Sequence, residues 1–220
     1  MGTHIALLGD SIFDNAAYTS GEPDVVGHLR SLLPSPWQAT LCAVDGSRAR
    51  DLQGQLRKVP SDASHIMVAV GGNDALGNID MLDRRVRFTA EALDLFGERV
   101  DAFECSYRHA IRSIQSVGRE TTVCTIYNGN LDPMLAPRAR IALMMFNDVI
   151  LRVAFQLGLN VIDLRLVCNE PADYANPIEP SGQGGLKIAT AIAFSAGAID
   201  GKTNPSRVFG PGVPRCLRAG

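Results

Sequence analysis

The sequence predicts an α/β fold, in which a mostly parallel sheet is covered by helices on both faces. Short apolar runs of strand length alternate with longer segments in which apolar residues recur at helical spacing. Several of the short runs are apolar at successive positions, which is typical of parallel strands buried on both faces. The chain has 220 residues, of which 46% are hydrophobic, so we expect one domain with a sizeable core.

Five strands are predicted, because each of five apolar runs ends close to a glycine, an aspartate or an asparagine. These runs are residues 4–8, 38–44, 65–70, 121–127 and 159–164. Helices are predicted where apolar residues are spaced three or four apart. These segments are residues 25–33, 102–117, 138–157 and 186–194.

Two stretches do not fit this alternation. Residues 75–100 are long for one connection, and we expect an added helix or a lid there. Residues 199–220 contain Pro205, Pro211, Pro214 and several glycines, which predicts an irregular tail. Neither stretch is typical of a second domain, so residues 1–220 are predicted to form a single domain with its core at about residues 4–198.

The composition argues against several classes of partner. The 21 basic and 23 acidic residues give a net charge of −2, which does not indicate nucleic-acid binding. No apolar run approaches the roughly 18 residues that cross a bilayer, and the first residues lack the basic start of a secretory signal. Five cysteines form no CxxC pair, which is typical of a reduced, cytoplasmic protein.

Cofactor and metal sites are not predicted either. No glycine-rich dinucleotide motif follows a strand, and there is no phosphate-binding lysine motif. Histidines, cysteines and carboxylates do not cluster at metal-ligand spacing. We therefore expect no cofactor and no metal, and a small molecule as the ligand.

The residues that follow the strands indicate the chemistry, because ligands bind beyond the carboxyl ends of the strands in an open parallel sheet. Ser11 follows the first predicted strand, Gly46 the second and Asn73 the third. A serine hydroxyl can attack a carbonyl carbon. The serine N–H, with donors from the two other positions, can stabilise the oxygen as it becomes negative.

These segments resemble a known family. The sequence GDSIFDN at residues 9–15, Gly46, and GGND at residues 71–74 are similar to blocks I, II and III of the GDSL/SGNH hydrolases, and the likeness extends over about residues 4–198. The resemblance implies an α/β three-layer sandwich on a flavodoxin-like, five-stranded parallel sheet. It also implies that Ser11 is the nucleophile and that Gly46 and Asn73 are oxyanion-hole donors.

The last block of the family pattern is different in this chain. The family places Asp-x-x-His-Pro before the final helix, with the histidine as the base. Here the segment from Asn176 to Pro180 reads NPIEP, so Glu179 occupies the position of the histidine and Asn176 that of the aspartate. The four histidines of the chain are poorly placed: His4 and His65 begin strands at the opposite end of the sheet, and His28 and His109 lie on predicted helices.

Three interpretations remain open for the proton acceptor. Glu179 is the base, although a glutamate can also cap the final helix or pair with an arginine. Alternatively, the protein keeps the hydrolase scaffold but hydrolyses its substrate slowly or not at all. In the third interpretation another carboxylate such as Asp14 takes the proton, although Asp14 is more typical of a cap on the first helical turn. Asp10 and Asp74 are expected to hold backbone N–H groups of the loops.

The predicted function is hydrolysis of a small acyl ester of the acetyl type through an acyl-enzyme on Ser11. Residues 75–100 are expected to shape the acyl or alcohol pocket. The alternative is a catalytically weak or inactive protein on the same scaffold that binds an acylated or sugar-like ligand. The sequence does not predict the oligomeric state.

Overall fold

A parallel sheet of five strands forms the centre of the computed structural model, which describes residues 3–200 and 208. The strands are β1 (His4–Gly9), β2 (Gln38–Leu41), β3 (His65–Ala69), β4 (Glu120–Cys124) and β5 (Asn160–Ile162). Their order across the sheet is β2-β1-β3-β4-β5, which confirms the predicted fold. The chain leaves β1 towards one edge and returns to the other side at β3, and ligands bind at such a switch point.

Helices cover both faces of the sheet. They are α1 (Val25–Leu32), α2 (Leu52–Leu56), α3 (Gly72–Leu76), α4 (Thr89–Gln115), α5 (Ala136–Leu157), α6 (Leu164–Val167) and α7 (Gly182–Ser195). Short 3-10 turns lie at Ala16–Tyr18, Ala49–Asp51, Ile79–Asp83 and Pro171–Asp173. None of the helices in residues 3–200 combines the length and apolar composition needed to cross a membrane.

Alternate residues of β1 belong to two separate cores, because successive strand side chains point to opposite faces. Ala6 and Leu8 pack in the core under α2, α4 and α5. Ile5 and Leu7 pack in the core under α1 and α7. All four of these side chains are fully buried, so β1 is held from both sides and its carboxyl end has a fixed position.

The predicted strand at residues 121–127 is too long at its carboxyl end, since β4 ends at Cys124. The buried carboxamide of Asn147, on α5, binds Ile126 at both backbone groups. Asn147 Oδ1 accepts from the Ile126 N–H at 2.7 Å, and its Nδ2 donates to the Ile126 carbonyl at 2.8 Å. The side chain thus replaces strand pairing at Ile126, and the chain turns away from the sheet.

Residues 75–100, for which an added helix or a lid was predicted, extend over three consecutive helical elements. They contain the end of α3, the turn Ile79–Asp83 and the first three turns of α4, which begins at Thr89 rather than at the predicted residue 102. The predicted tail at 199–220 lies outside the described residues, apart from 199, 200 and 208. The single-domain organisation stays a prediction.

Gly9 is the residue at which β1 and β3 approach most closely. Its φ of +142° is unfavourable for residues with a side chain, and a Cβ there would lie 1.8 Å from the Ala69 carbonyl oxygen. The next residue continues this contact, because the Asp10 N–H donates to the same oxygen at 3.0 Å. Only glycine fits between the end of β1 and β3.

We expect Gly9→Ala to lower the free energy of unfolding by about 3 kcal/mol or more, because both the backbone angle and the Ala69 contact are violated. Urea denaturation measures the change. Gly97→Ala is the matched control: Gly97 lies inside α4 with nothing within 4 Å of the added carbon. That variant should gain about 0.5–1 kcal/mol from helix propensity. Equal stability of the two variants would contradict the account of Gly9.

Candidate active site

Ser11 lies in the sharp turn that follows β1. The Asp10 carbonyl accepts hydrogen bonds from the N–H groups of Phe13 and Asp14, both at 3.1 Å, which folds the chain back over Ser11. Ser11 is 8% exposed. Within residues 3–200 its own N–H donates no hydrogen bond, so this donor is available to a ligand.

Gly46 is the third residue of a turn from Val44 to Ser47, which the Ser47 N–H closes on the Val44 carbonyl at 3.2 Å. Its φ of +76° is the angle that a type II turn requires at this position, and it suits glycine. Gly46 is exposed, and its N–H has no partner among the described residues. The Val44 N–H donates to the Gly9 carbonyl at 3.2 Å, which places this turn beside the carboxyl end of β1.

Asn73 lies in the first turn of α3, directly after β3. Its Nδ2 donates to the Ser47 carbonyl at 3.1 Å, and an amide nitrogen carries a second hydrogen that this bond does not use. The neighbouring Asp74 accepts from the Ala49 N–H at 3.0 Å, which confirms its predicted role in holding loop backbone. Asn73 and Asp74 therefore tie the end of β3 to the turn that carries Gly46.

Gln55 is a site residue that the sequence analysis missed. It is buried in α2, and its Oε1 accepts from the Gly9 N–H while its Nε2 donates to the Gly9 carbonyl, both at 2.7 Å. Nε2 also donates to Ser47 Oγ at 3.0 Å. The signal was a glutamine between Leu52 and Leu56 in the sequence, since a polar side chain among apolar ones needs a hydrogen-bond partner when it is buried.

Glu179 is held by the loop before α7. Asn176 Oδ1 accepts from the N–H groups of Ile178 and Glu179 at 3.0 and 2.9 Å. The Glu179 carbonyl accepts from the Ala175 N–H at 2.9 Å, and Asn15 Nδ2 donates to the Pro180 carbonyl at 3.3 Å. Asn15 directly follows the turn that carries Ser11, so this turn and the Glu179 loop are connected by a hydrogen bond.

Glu179 is 6% exposed, and its carboxyl group lies beside the Ser11 hydroxyl. Burial raises the pKa of Glu179, and the interaction with Ser11 lowers it by a smaller amount. The two side chains approach each other without a well-formed hydrogen bond, and Oε2 of Glu179 has no partner within the described residues. Catalytic hydrogen bonds are often long before the substrate binds.

The other roles considered for Glu179 are not found. Ser181 caps α7, since its Oγ accepts from the Gly184 N–H at 3.1 Å. In the part of the chain that the structure describes, no arginine or lysine forms an ion pair with Glu179. The buried carboxyl group is therefore not used by the fold.

Asp10 and Asp14 both support the loops. Asp10 Oδ1 accepts from the Ile12 N–H at 3.1 Å, which confirms its predicted role. Asp10 Oδ2 is buried without a described partner, and burial, with the nearby Glu179 and Asp74 carboxyl groups, raises the pKa of Asp10 to about 8. Asp14 does not cap a helical turn as predicted; it accepts from the Asp45 N–H at 2.9 Å and so fixes the turn of Gly46.

The histidines lie where the sequence predicted them. His4 contacts Asp62 and Thr40 at the amino end of β1, opposite Ser11. His65 begins β3 and pairs with Glu120 at 3.1 Å. His28 is in α1 and His109 in α4, and neither lines the cavity beside Ser11.

A cavity of about 130 Å³ opens next to Ser11, Asn73 and Glu179. Its walls come from α3, the turn after it, the start of α4, the loop after β4, and α5. The apolar lining includes Ile12, Leu76, Ile79, Leu82, Phe96, Ile126, Leu131, Leu135, Leu143, Phe146 and Ile178. Residues of the stretch 75–100 thus shape the pocket, as predicted. Within residues 3–200 and 208, no group of three histidines, cysteines or carboxylates is arranged to hold a metal ion.

Residues 7–184 match the GDSL-like Lipase/Acylhydrolase family. The chain therefore belongs to this family and is an ester hydrolase. No curated protein matches the sequence.

Solved structures with the same fold include an extracellular lipase from Streptomyces rimosus, with 16% identity and a TM-score of 0.65 over 90% of this chain and 100% of that one. Phospholipase A1 from Streptomyces albidoflavus has 14% identity and a TM-score of 0.62, covering 87% and 98% of the two chains. An acetylxylan esterase from Geobacillus stearothermophilus, solved as a catalytic mutant with a histidine replaced by alanine, has 17% identity and a TM-score of 0.64, covering 88% and 94%. At these identities the likeness shows the fold.

The raised pKa of Asp10 predicts a pH-dependent cost in stability. Between about pH 4 and about pH 8 the folded chain keeps a proton on Asp10 that the unfolded chain releases. The free energy of unfolding therefore falls as the pH rises through this window. Asp10→Asn removes the titration, so its stability relative to the wild type should rise with pH, by at most about 1.4 kcal/mol per unit.

Urea denaturation at several pH values from about 5 to about 8 measures this difference. Asp94→Asn, at an exposed position of α4, is the control and should leave the pH dependence as in the wild type. If Asp10→Asn and the wild type show parallel pH profiles, Asp10 is not protonated in the folded chain.

Proposed function

We propose that the protein hydrolyses acyl esters with Ser11 as nucleophile and Glu179 in place of the family's histidine. The observation that carries the proposal is the buried Glu179 carboxyl group, which lies beside the Ser11 hydroxyl with one oxygen unpartnered among the described residues. A buried carboxylate that is not used by the fold is a candidate for proton transfer. No described histidine lines the cavity.

The reaction proceeds in two steps. Ser11 Oγ attacks the ester carbonyl carbon while its proton passes to Glu179. The tetrahedral intermediate then collapses to an acyl-enzyme, and the leaving alcohol takes the proton from Glu179. In the second step water attacks the acyl carbon and gives a proton to Glu179. This proton returns to Ser11 Oγ as the carboxylic acid leaves.

Burial adapts Glu179 to this role. A glutamate with its usual pKa is a weak base, and the desolvation that raises the pKa of Glu179 makes its carboxylate more basic. Asn176, at the position of the family's aspartate, is uncharged and fixes the backbone of the Glu179 loop. A second carboxylate at that position would repel the first, so the two departures from the family pattern fit together.

The N–H groups of Ser11 and Gly46 and the second Nδ2 hydrogen of Asn73 are the proposed oxyanion donors. None of the three is used by a hydrogen bond among the described residues. The loop around Gly46 is held by Asp14 at Asp45, by Gln55 at Ser47 and by Asp74 at Ala49. Donors that are oriented in advance stabilise a developing negative charge without reorganisation.

The acetyl-type acyl group predicted from the sequence is small enough to be accepted by this site. An acetyl ester places one methyl group at the mouth of the apolar cavity, next to Ser11. We propose acetyl esters as substrates on this ground. The acetylxylan esterase of similar fold offers a precedent for such an activity, at an identity of 17%.

A fluorophosphonate should label the wild-type chain once and should not label Ser11→Ala, because only an activated serine hydroxyl displaces fluoride from phosphorus. Intact-mass spectrometry measures the adduct. Ser116→Ala, at an exposed serine after α4, is the matched control and should be labelled like the wild type. A folded wild-type chain that gains no adduct would favour a protein that binds acylated ligands without turnover.

Asn73→Ala should lower kcat by about 10²–10³ with a small change in KM, because it removes one oxyanion donor. Asn130→Ala is the control: Asn130 is exposed in the loop after β4, and its described hydrogen bond uses only its backbone N–H. Thermal unfolding of both variants separates loss of the donor from loss of the Ser47 contact. A kcat within about threefold of the wild type in a folded Asn73→Ala chain would remove Asn73 from the oxyanion hole.

A further inference from the structure

The cavity beside Ser11 is polar at one end and apolar over the rest of its surface. Asp10, Ser11, Asn73 and Glu179 form the reactive end. Beyond them, the walls are mostly aliphatic and aromatic side chains, with Asn78 and Asn128 as the polar side chains among them. Sugar hydroxyl groups in this part of the cavity would lose their hydrogen bonds to water and find few partners, which is costly.

We propose that this cavity binds an aliphatic acyl chain of about six carbon atoms or more, so that the enzyme prefers medium-chain esters over acetyl esters. The inference rests on the proposed function, since it assigns the acyl side of the same site. An apolar protein cavity of about 150 Å³ holds one benzene molecule, which has six carbons. The cavity here is about 130 Å³, far more than an acetyl methyl group needs.

The chemistry of the acyl-enzyme favours the acyl chain over the alcohol as the occupant. The acyl group is bound to Ser11 from the first step until the end of the second, so an apolar cavity beside Ser11 suits it. The alcohol must leave and water must enter at Glu179 before the second step. Glu179 lies at the reactive end, next to the exposed residues 175–177 of its loop, so a route to solvent is close on that side.

Exposed apolar side chains lie on the same two segments that form the cavity walls. Residues 72–96 and 131–146 carry eight large apolar side chains that are exposed to solvent, and two of them also line the cavity. The eight are Leu76 and Ile79, which line the cavity, and Val86, Phe88, Leu93, Met134, Ile141 and Met144. Apolar side chains that are concentrated around a pocket indicate an apolar ligand. An acyl chain longer than the cavity would leave it over this surface.

Two alanines of α5 determine how much space the cavity offers to an acyl chain. Ala139 and Ala142 line it beside Leu143 and Phe146, and both are half-buried, so larger side chains fit there without entering the core. A phenylalanine at position 142 would occupy the space that we assign to the acyl chain. These positions are specificity-determining in the proposal, since they set chain length without touching the reacting atoms.

Hydrolysis of p-nitrophenyl esters from acetyl to decanoyl, below their micelle concentrations, tests the proposal. We expect kcat/KM to rise by up to about fourfold for each added methylene group until about six carbons, because each methylene leaves water.

In Ala142→Phe the ratio of hexanoyl to acetyl kcat/KM should fall at least tenfold. Ala139→Leu should lower it in the same direction if the first variant does not fold. Ala102→Phe, an exposed alanine of α4 outside this cavity, is the matched control and should keep the wild-type ratio.

Three results would overturn the inference. The first is a kcat/KM that is highest for the acetyl ester. The second is a hexanoyl-to-acetyl ratio that Ala142→Phe leaves as in the wild type. The third is a kcat/KM for acetate esters that rises with the length of the alcohol and falls in Ala142→Phe, since the cavity would then hold the alcohol. Failure of the proposed function is distinct from all three, because the wild type would then turn over no ester, or turnover would persist in Ser11→Ala.

Discussion

The carboxamide of Gln55 is the interaction on which the geometry of the site depends. It binds the N–H and the carbonyl of Gly9 and the hydroxyl of Ser47, all within the protein interior. Gly9 ends the strand that leads to Ser11, and Ser47 follows Gly46 directly. Asn73 also donates to the Ser47 carbonyl. The loops after β1, β2 and β3 are therefore linked to one another through Ser47 and Gln55. Buried polar groups tolerate no loss of a partner, so these loops have little freedom to move independently.

The second constraint is the negative charge of the site. Asp10, Asp74 and Glu179 lie close enough for their carboxyl groups to influence one another, and no described cation is paired with them. Burial disfavours several ionised carboxyl groups at once, so the raised pKa of Asp10 reduces the number of negative charges near Glu179. Asn176, in the same loop as Glu179, is uncharged and adds no further negative charge to the site. In the proposed mechanism a neutral Asp10 lies near the carboxylate base. In the family pattern an ionised aspartate accompanies the histidine base.

Local sequence patterns predicted the α/β fold and the positions of Ser11, Gly46 and Asn73 after three strands, and the resemblance to the family added Glu179. Strand length and glycine position are local properties, so they could be predicted. The contacts of Gln55 with Gly9 and of Asn147 with Ile126 could not, because each joins residues that are more than twenty positions apart and appears in no periodicity. The start of α4 was missed for a related reason: its first turns face the cavity and solvent instead of the core, so the core periodicity begins only near residue 103.

The most direct test of the account is the pH dependence of kcat/KM for p-nitrophenyl hexanoate in the wild type and in Glu179→Gln. Because burial raises the pKa of Glu179, the wild-type rate should fall as the pH decreases through a value above that of an ordinary glutamate. In folded Glu179→Gln the rate should be lower by at least about a hundredfold, and this acidic limb should be absent. Turnover near the wild-type rate with the same acidic limb would show that another group takes the proton from Ser11.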